Sequence, residues 1–551
     1  MAECLKTKLA VILLIVMTLG VRGESNVKPN IVYILADDLG WDDVSFHGSE
    51  QVRTPNIDLL ARSGVALQRF YSHCLCTPSR SALLTGKHAY TLGMQGYPLV
   101  QSEDRFLPLN EKILPQYLKE LGYSTHLVGK WHVGMCRSAA LPTARGFDTH
   151  FGHRGGYIDY YEYTIEESWS SGTVSGYDLY RNETPAWDST GYVTDLYTRE
   201  ATSIIEAHDP SSLLFLMVAH NAPHGGNDGA ILQAPPDEVR RMRHIESQQR
   251  RILAAMVKKL DDSVGDIVKS LSDKGILNNT IIVFTSDNGG MTSGNSLNYG
   301  SNWPLRGIKM SPFEGAVRVT GLLWKANLNP VSRAWNGYMH ISDWLPTLLH
   351  AVGADPPPGI DGFNQWDNII TNATSKRNEI VEIDDYQGFY MIISAEYKLI
   401  TGSVIKEYSN YQGHDLRGII GSPSPPSYVD VVKKSTMYSV LRNSGLEVNM
   451  ADDEMRKRYK YKIDCLKRSE ERDVSLCYPE NGTVCLYNII EDPCETKDIS
   501  KLYPDIVQKL LQKLETEKNR TIPRILPLVR DPRSHPNQFN YAWSTWAEHI
   551  K

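Results

Sequence analysis

Four short runs constrain this chain more than any other feature: NIVYILADD at residues 30–38, STHLVGKWH at 124–132, LLFLMVAHNAPH at 213–224 and TIIVFTSDNGG at 280–290. Each is a short apolar, β-branched stretch closed by polar residues, the pattern of a strand buried on both faces of a parallel sheet. Helical patterns separate them. LNEKILPQYLKELGY precedes the second run, and RRILAAMVKKLDDSVGDIVKSLSDKG precedes the fourth and stops at Gly275, a residue suited to a C-terminal cap. The alternation predicts an α/β fold with helices on both faces of the sheet. Ligands of such sheets bind beyond the carboxyl ends of the strands. Those ends carry Asp37 and Asp38, Lys130 and His132, His224, and Asp287 and Asn288, so four separate segments deliver charged or metal-binding groups to one edge.

The 551 residues are enough for a large core and a second, smaller domain. Pro and Gly cluster in GADPPPGIDGF at 353–363. Beyond it, EIVEIDD and GFYMIISAEYKLITGS read as antiparallel strands, and YPDIVQKLLQKLETEK places Ile506, Leu510, Leu511 and Leu514 on one helical face. The expected organisation is a catalytic domain over 24–375 and a smaller α+β domain over 376–551. The Tyr-rich segment 155–197 and the stretch 408–461 show no clear period and read as long excursions that shape a pocket.

At the N-terminus, Lys6 and Lys8 precede LAVILLIVMTLG and small residues up to Gly23, which reads as a secretory signal peptide over 1–23. The run is short for a membrane span, and no later segment is apolar enough to cross. Sequons at Asn182, Asn278, Asn372, Asn481 and Asn519 fit the secretory pathway, although Pro185 follows the first. A lysosomal or secreted glycoprotein without a membrane anchor is expected, and the terminal AEHIK is no retention signal. Loss of Cys4 leaves Cys74, Cys76, Cys136, Cys465, Cys477, Cys485 and Cys494, an odd set in an oxidising compartment. The last four are expected to staple their region. Cys74 can pair with Cys136, which leaves Cys76 over, and the connectivity stays open. The 58 basic and 64 acidic residues nearly balance at −6 with no basic stripe, which excludes nucleic acid as the expected partner.

The strand-end pairs Asp37–Asp38 and Asp287–Asn288 supply carboxylate and amide oxygens that suit Ca²⁺ or Mg²⁺. Arg80, Lys130, His132, His224 and Lys309 would line an anion site with donors and a proton source. Cys76 opens CTPSRSALLTG, where Pro78 fits a first helical turn and backbone amides favour anions. A nucleophile attacking an anionic ester fits that position.

CTPSRSALLTG matches the first sulfatase signature, C-x-P-S-R-x-x-x-L-T-G, and GYSTHLVGKWH at 122–132 matches the second. Further segments, from PNIVYILADDLGWDDVSFHG through RGFDTHFG, FTSDNGG, NWPLRGIKMSPFEGAVR and HISDWLPTLL to LYNIIEDPCETKDIS, extend the likeness over most of the chain. The sequence resembles the sulfatases, most of all the arylsulfatase B, I and J group. The resemblance implies an alkaline phosphatase-like fold: a large mixed, mostly parallel sheet sandwiched by helices, with a smaller C-terminal α+β domain containing an antiparallel sheet. It also implies that a formylglycine-generating enzyme oxidises Cys76 to Cα-formylglycine (3-oxoalanine), whose hydrate attacks sulfur and then releases sulfate by C–O cleavage. One Ca²⁺ would be held by Asp37, Asp38, Asp287, Asn288 and the modified Cys76. Lys130, His224 and Lys309 would hold the sulfate and the leaving alcohol, His132 would act as base in the elimination, and Arg80 would position the diol. The implied substrate is a sulfate ester of a sugar, or of a small aryl or organic molecule such as a glucosinolate. A phosphate or phosphonate ester hydrolase of the same superfamily, or a catalytically silent carbohydrate-binding relative, is the alternative. Two departures leave disulfide connectivity and substrate preference open: GYPLVQSEDRFLPLNEK lacks the paired cysteines of arylsulfatase B relatives, and Ala316 stands where the motif repeats Gly.

Overall fold

The computed structural model describes residues 28–294, 297–326, 328, 333–411, 415–420, 424–446, 461–463, 465, 475–480, 482–524 and 530–548. The signal peptide, the sequon at Asn481 and part of the 408–461 excursion fall outside them. All four runs form strands: β1 (Asn30–Ala36), and, after β2 (Val65–Tyr71), β3 (Tyr123–Gly129). β4 (Thr149–His153) follows, then the hairpin β5 (Thr164–Trp169) and β6 (Gly172–Tyr177), and the short β7 (Leu179–Arg181) and β8 (Thr184–Pro185). β9 (Leu213–Ala219) and β10 (Thr280–Ser286) are the third and fourth runs, followed by β11 (Gly321–Lys325) and β12 (Ala334–His340). Ten of these form one sheet in the order β12-β2-β11-β10-β1-β9-β3-β4-β7-β8. Only β11 and β7 run against the rest, so the sheet is mixed and mostly parallel.

Period-two alternation explains the two layers. On β1, Val32, Ile34 and Ala36 join one core with the helices Pro55–Ser63, Val193–Ala207 and Gln248–Asp273. Ile31, Tyr33 and Leu35 join the other, with the helices Cys76–Thr85, Leu114–Glu120 and Trp344–Ala351. β9 and β10 divide their side chains in the same way, which is why they read as continuously apolar. The helix Gln248–Asp273 starts at a Ser247 cap that accepts from the Arg250 amide, and Gly275 follows it at φ 78. The helix expected within 109–123 is shorter, Leu114–Glu120, because Pro115 cannot sit in a helix interior and occupies the first turn instead.

A second sheet is antiparallel: β13 (Glu379–Asp384), β14 (Phe389–Ser394), β15 (Tyr397–Gly402) and β16 (Cys485–Asn488). Val381, Ile383, Ile392, Leu399 and Leu486 pack on Leu510 and Leu514 of the helix Pro504–Lys518. The opposite face, including Ile380, Met391, Ile393 and Ile400, packs on Tyr71, Phe313, Val317 and Tyr338. Other segments beyond residue 376 reach into the larger body. Val432, Met437, Val440 and Leu441 join its first core, and Trp543 packs on Ile165 and Val174 of the hairpin.

Cys465 bonds Cys494, and Cys477 bonds Cys485, within the cysteine-rich region that was expected to be stapled. The expected option of a Cys74–Cys136 bond does not form. Cys74 packs in the cluster beneath the small sheet with its thiol toward Glu382, whereas Cys136 packs against Trp546 with its thiol toward Asp104. Both are free, as is Cys76. Among the sequons, Asn182, Asn278, Asn372 and Asn519 are exposed.

Candidate active site

β10, β1, β9 and β3 are consecutive parallel neighbours, so their carboxyl ends open on one edge. Asp37 and Asp38 follow β1 directly, Asp287 and Asn288 follow β10, Lys130 and His132 leave β3, and His224 lies in the loop after β9. Cys76 is the first residue of the helix Cys76–Thr85, after an extended Leu75 with no side-chain cap, so the free amides of the first turn surround it. Arg80 lies one turn on, on the same face.

The site is buried throughout: Asp37, Asp38, Asp287 and Asn288 are fully enclosed, and Cys76 is 1 % exposed. Lys130 Nζ lies 2.5 Å from Asp37 Oδ2, and Lys309 Nζ lies 2.6 Å from Asp38 Oδ1. Arg80 donates from Nε and Nη2 to Asp287 Oδ2 at 3.0 and 2.8 Å. Asn288 Nδ2 donates to Asp38 Oδ1 at 2.6 Å. His224 Nε2 sits 3.5 Å from Asp38 Oδ2, too far for a good hydrogen bond. One ligand atom from each of Asp37, Asp38, Cys76 and His224 lies within 4.8 Å of the others. His132 joins the group through Thr77, whose hydroxyl donates to His132 O at 3.2 Å, and its own Nε2 meets Leu99 O at 3.0 Å.

Three carboxylates thus face three permanent cations, a balanced set before anything binds. Yet Asp37 Oδ1, Asp38 Oδ2 and Asn288 Oδ1 are buried without a hydrogen-bond partner. Each such atom costs about 1–3 kcal/mol unless something satisfies it. Oxygens from two carboxylates and an amide are the donor set of a hard divalent cation, so the residues fit Ca²⁺. A dication would leave the site with net positive charge, suited to an anionic ester.

The fields act on individual groups. Burial pushes the Cys76 thiol up, but Lys130 and Lys309 outweigh it and hold it at about 7. Burial alone would strip His224 of its proton; Asp38 reverses this and raises its pKa. His132 is pushed well below the usual range by burial, with Lys130 and Arg80 adding to the effect. Because Leu99 O can only accept, His132 Nε2 carries the hydrogen, which leaves Nδ1 as a buried lone pair without a partner.

The structure therefore brings all ten sequence-expected residues to one edge. It adds several that sequence reasoning missed. Asn298 donates to Asp38 O and Pro223 O while accepting from the amides of Met291 and Gly300. Tyr157 stacks on His224 with ring centroids 5.9 Å apart, and Tyr160 donates to His224 O at 2.8 Å. Both tyrosines belong to the Tyr-rich excursion. Asn298 carried no signal, because it works through backbone carbonyls from an irregular loop.

Residues 29–354 match the family model described as Sulfatase. Arylsulfatase J of Mus musculus is 36 % identical over 533 residues, spanning 96 % of this chain and 81 % of that protein. N-acetylgalactosamine-6-sulfatase of Homo sapiens is 31 % identical over 367 residues, 63 % of this chain and 67 % of that one. Among solved structures, the crystal structure of Ps i-CgsB in complex with k-i-k-neocarrahexaose superposes with a TM-score of 0.69 at 25 % identity, covering 93 % of this chain and 97 % of its own. A family match over more than half the chain and a relative aligned along nearly all of it, on a chain whose strand-end oxygens fit a divalent cation, show that the protein belongs to the sulfatase family, enzymes that hydrolyse sulfate esters.

Proposed function

We propose that this sulfatase removes sulfate from a sulfated sugar, using residue 76 as the nucleophile and a calcium ion at the strand-end oxygens. The observation that carries the reading is the clustering of ligand atoms from Asp37, Asp38 and His224 with Cys76, the first residue of its helix, within 4.8 Å, with three buried oxygens of Asp37, Asp38 and Asn288 left without partners. The sugar class is supported by the N-acetylgalactosamine-6-sulfatase and the neocarrahexaose complex to which the chain is similar. In this reading residues 24–375 form the catalytic domain, and residues 376–551 the smaller one.

Asp37, Asp38, Asp287 and Asn288 would hold the ion, which would supply positive charge against the ester oxygens. A formylglycine-generating enzyme, drawing on an external two-electron oxidant and releasing the sulfur, would convert the Cys76 side chain to an aldehyde whose hydrate would supply the attacking oxygen. Lys130 and Lys309 meet the sulfate oxygens in a water-poor site, where fixed charges act strongly. His224, kept protonated by Asp38, gives its proton to the departing alcohol oxygen. His132, kept neutral by burial, accepts a proton at Nδ1. Arg80 is fixed by its two bonds to Asp287 and holds the nucleophile from beneath. Passage through the secretory pathway to a lysosomal or extracellular location fits the exposed sequons, and no helix among the described residues is long and apolar enough to cross a membrane.

The test is the mass of the peptide containing residue 76, from protein secreted by a eukaryotic host, alongside sulfate release from sulfated galactosamine oligosaccharides. An aldehyde in place of the thiol, with release abolished by chelation, is expected. A thiol at residue 76 in a chain co-expressed with a competent modifying enzyme, with no sulfate released, would overturn the proposal.

A further inference from the structure

Three buried histidines converge behind the helix that bears Cys76, and the reaction uses none of them. His73, His88 and His340 are 2 %, 6 % and 0 % exposed, and one ring nitrogen from each lies within 4.8 Å of the other two. Their ring centroids are 4.9 Å apart for His73–His340, 5.2 Å for His88–His340 and 6.4 Å for His73–His88. His88 Nδ1 and His340 Nε2 are buried without a hydrogen-bond partner. His73 Nε2 receives only a long contact from the Ala89 amide, at 3.4 Å.

The outer nitrogens of two rings are held. Glu382 Oε2 accepts from His73 Nδ1 at 2.7 Å, which fixes that tautomer and presents Nε2 as a lone pair. His340 Nδ1 lies 2.8 Å from Ser342 Oγ and accepts from the Ser342 amide at 3.3 Å, so an ion at Nε2 would turn Nδ1 into the donor to that hydroxyl. Burial holds the His88 pKa down at about 3 and that of His340 well below its usual range, so both rings are the neutral imidazoles that bind metal. Of the cations that act on His88, Arg377 is paired with Asp343 at 2.6 Å and Arg520 with Asp361, whose Oδ2 accepts from the His88 amide at 2.8 Å. Glu382 adds negative charge at His73.

We propose that His73, His88 and His340 form a second metal site that takes a borderline divalent ion, zinc before calcium, and is separate from the oxygen-rich cluster at the strand ends. Three imidazoles suit zinc, whereas calcium requires oxygens. Bonds of about 2.0–2.1 Å need nitrogens about 3.4 Å apart, against the spacing of up to 4.8 Å in the structure, so the rings close in on the ion. The position gives the ion a mechanical role. His73 lies just before the helix Cys76–Thr85, His88 just after it, and His340 ends β12, so one ion ties both ends of the Cys76 helix to the sheet. Glu382, on β13, extends the tie to the second sheet.

The test uses the full secreted protein, stripped with dipicolinate and titrated with zinc chloride in the presence of excess calcium. One equivalent of zinc is expected, with an X-ray absorption first shell of three imidazole nitrogens and no sulfur, and a rise in unfolding temperature. His88→Gln and His340→Gln are each expected to weaken zinc binding at least about tenfold, while Asp38→Asn leaves it intact. A wild-type chain that takes up no zinc, or one whose first shell contains sulfur or mainly carboxylate oxygen, overturns the proposal even if the histidine variants fail to fold. Zinc binding lost in Asp38→Asn but kept in both histidine variants also overturns it, by placing the ion in the catalytic cluster.

Discussion

Asp38 and His132 both sit in the left-handed backbone region, at φ 59 and 57, although neither is glycine. Such positions cost about 1–3 kcal/mol each and persist where the surroundings over-determine them. Here Asn298 clasps the Asp38 carbonyl, and the His132 amide is fixed on Arg154 O. Asn298→Ala is therefore expected to lower kcat by about ten- to a hundredfold with little change in KM, since it shifts Asp38 without touching substrate. Steady-state kinetics on an aryl sulfate checks this, and an unchanged kcat would refute it. Lys309→Ala removes the partner of Asp38 together with the proposed sulfate contact, and a fall in kcat of about 10²–10³-fold is expected in the same assay. The proposed reacting residues were legible in sequence because they stand at strand ends and in signature motifs. Asn298, Thr77 and the two tyrosines were not, because positioning through a carbonyl or a ring face leaves no spacing to read.

Gly129 closes β3, immediately before Lys130, at φ 102. A Cβ there would lie 2.0 Å from Ala219 O on the neighbouring β9, and that same carbonyl accepts the Lys130 amide at 2.8 Å. Gly129→Ala is expected to destabilise the protein by about 2–4 kcal/mol and to displace Lys130, read as a lower unfolding temperature together with lost activity. A variant as stable and active as the parent would contradict the role given to this strand junction. The central strands were legible because apolar side chains on both faces leave no competing pattern. β2 was harder to read, since Gln68 and Arg69 interrupt it, and β12 because Asn336 and Gly337 break its register against β2. In both, pairing within the sheet overrides a weak local preference.

The two sheets meet over an ionic joint as well as an apolar one. Lys398 on β15 lies 2.9 Å from both Glu314 Oε1 and Glu495 Oε1, all fully buried, with the Glu495 contact poorly aligned for a hydrogen bond. Burial pushes the Glu495 carboxyl up to about 7, although Lys398 opposes it. A carboxyl raised on folding binds its proton more tightly in the native state. Its contribution is therefore complete below the ordinary value of 4.5 and is lost as pH rises through about 7. Calorimetry at pH 5 and pH 8 is expected to show a smaller alkaline loss of stability for Glu495→Gln than for the parent chain, and equal losses would refute the assignment. Lys398→Ala leaves the buried Glu495 without its cation and Glu314 with only Arg318 at 3.6 Å, and is expected to cost about 3–5 kcal/mol by the same measurement. The apolar alternation of the small sheet was legible, but this joint was not, because its members come from residues 314, 398 and 495 and only the fold makes them neighbours. The enclosure of Cys76, 1 % exposed at the carboxyl edge of the sheet, has one more consequence. A sulfur so sheltered in the native protein would, on the proposed chemistry, have to be oxidised before the chain closes over it, so oxidation and folding would compete once, during biosynthesis. A chain that folds first keeps its thiol for life, and the specific activity of a preparation counts the molecules that won the race.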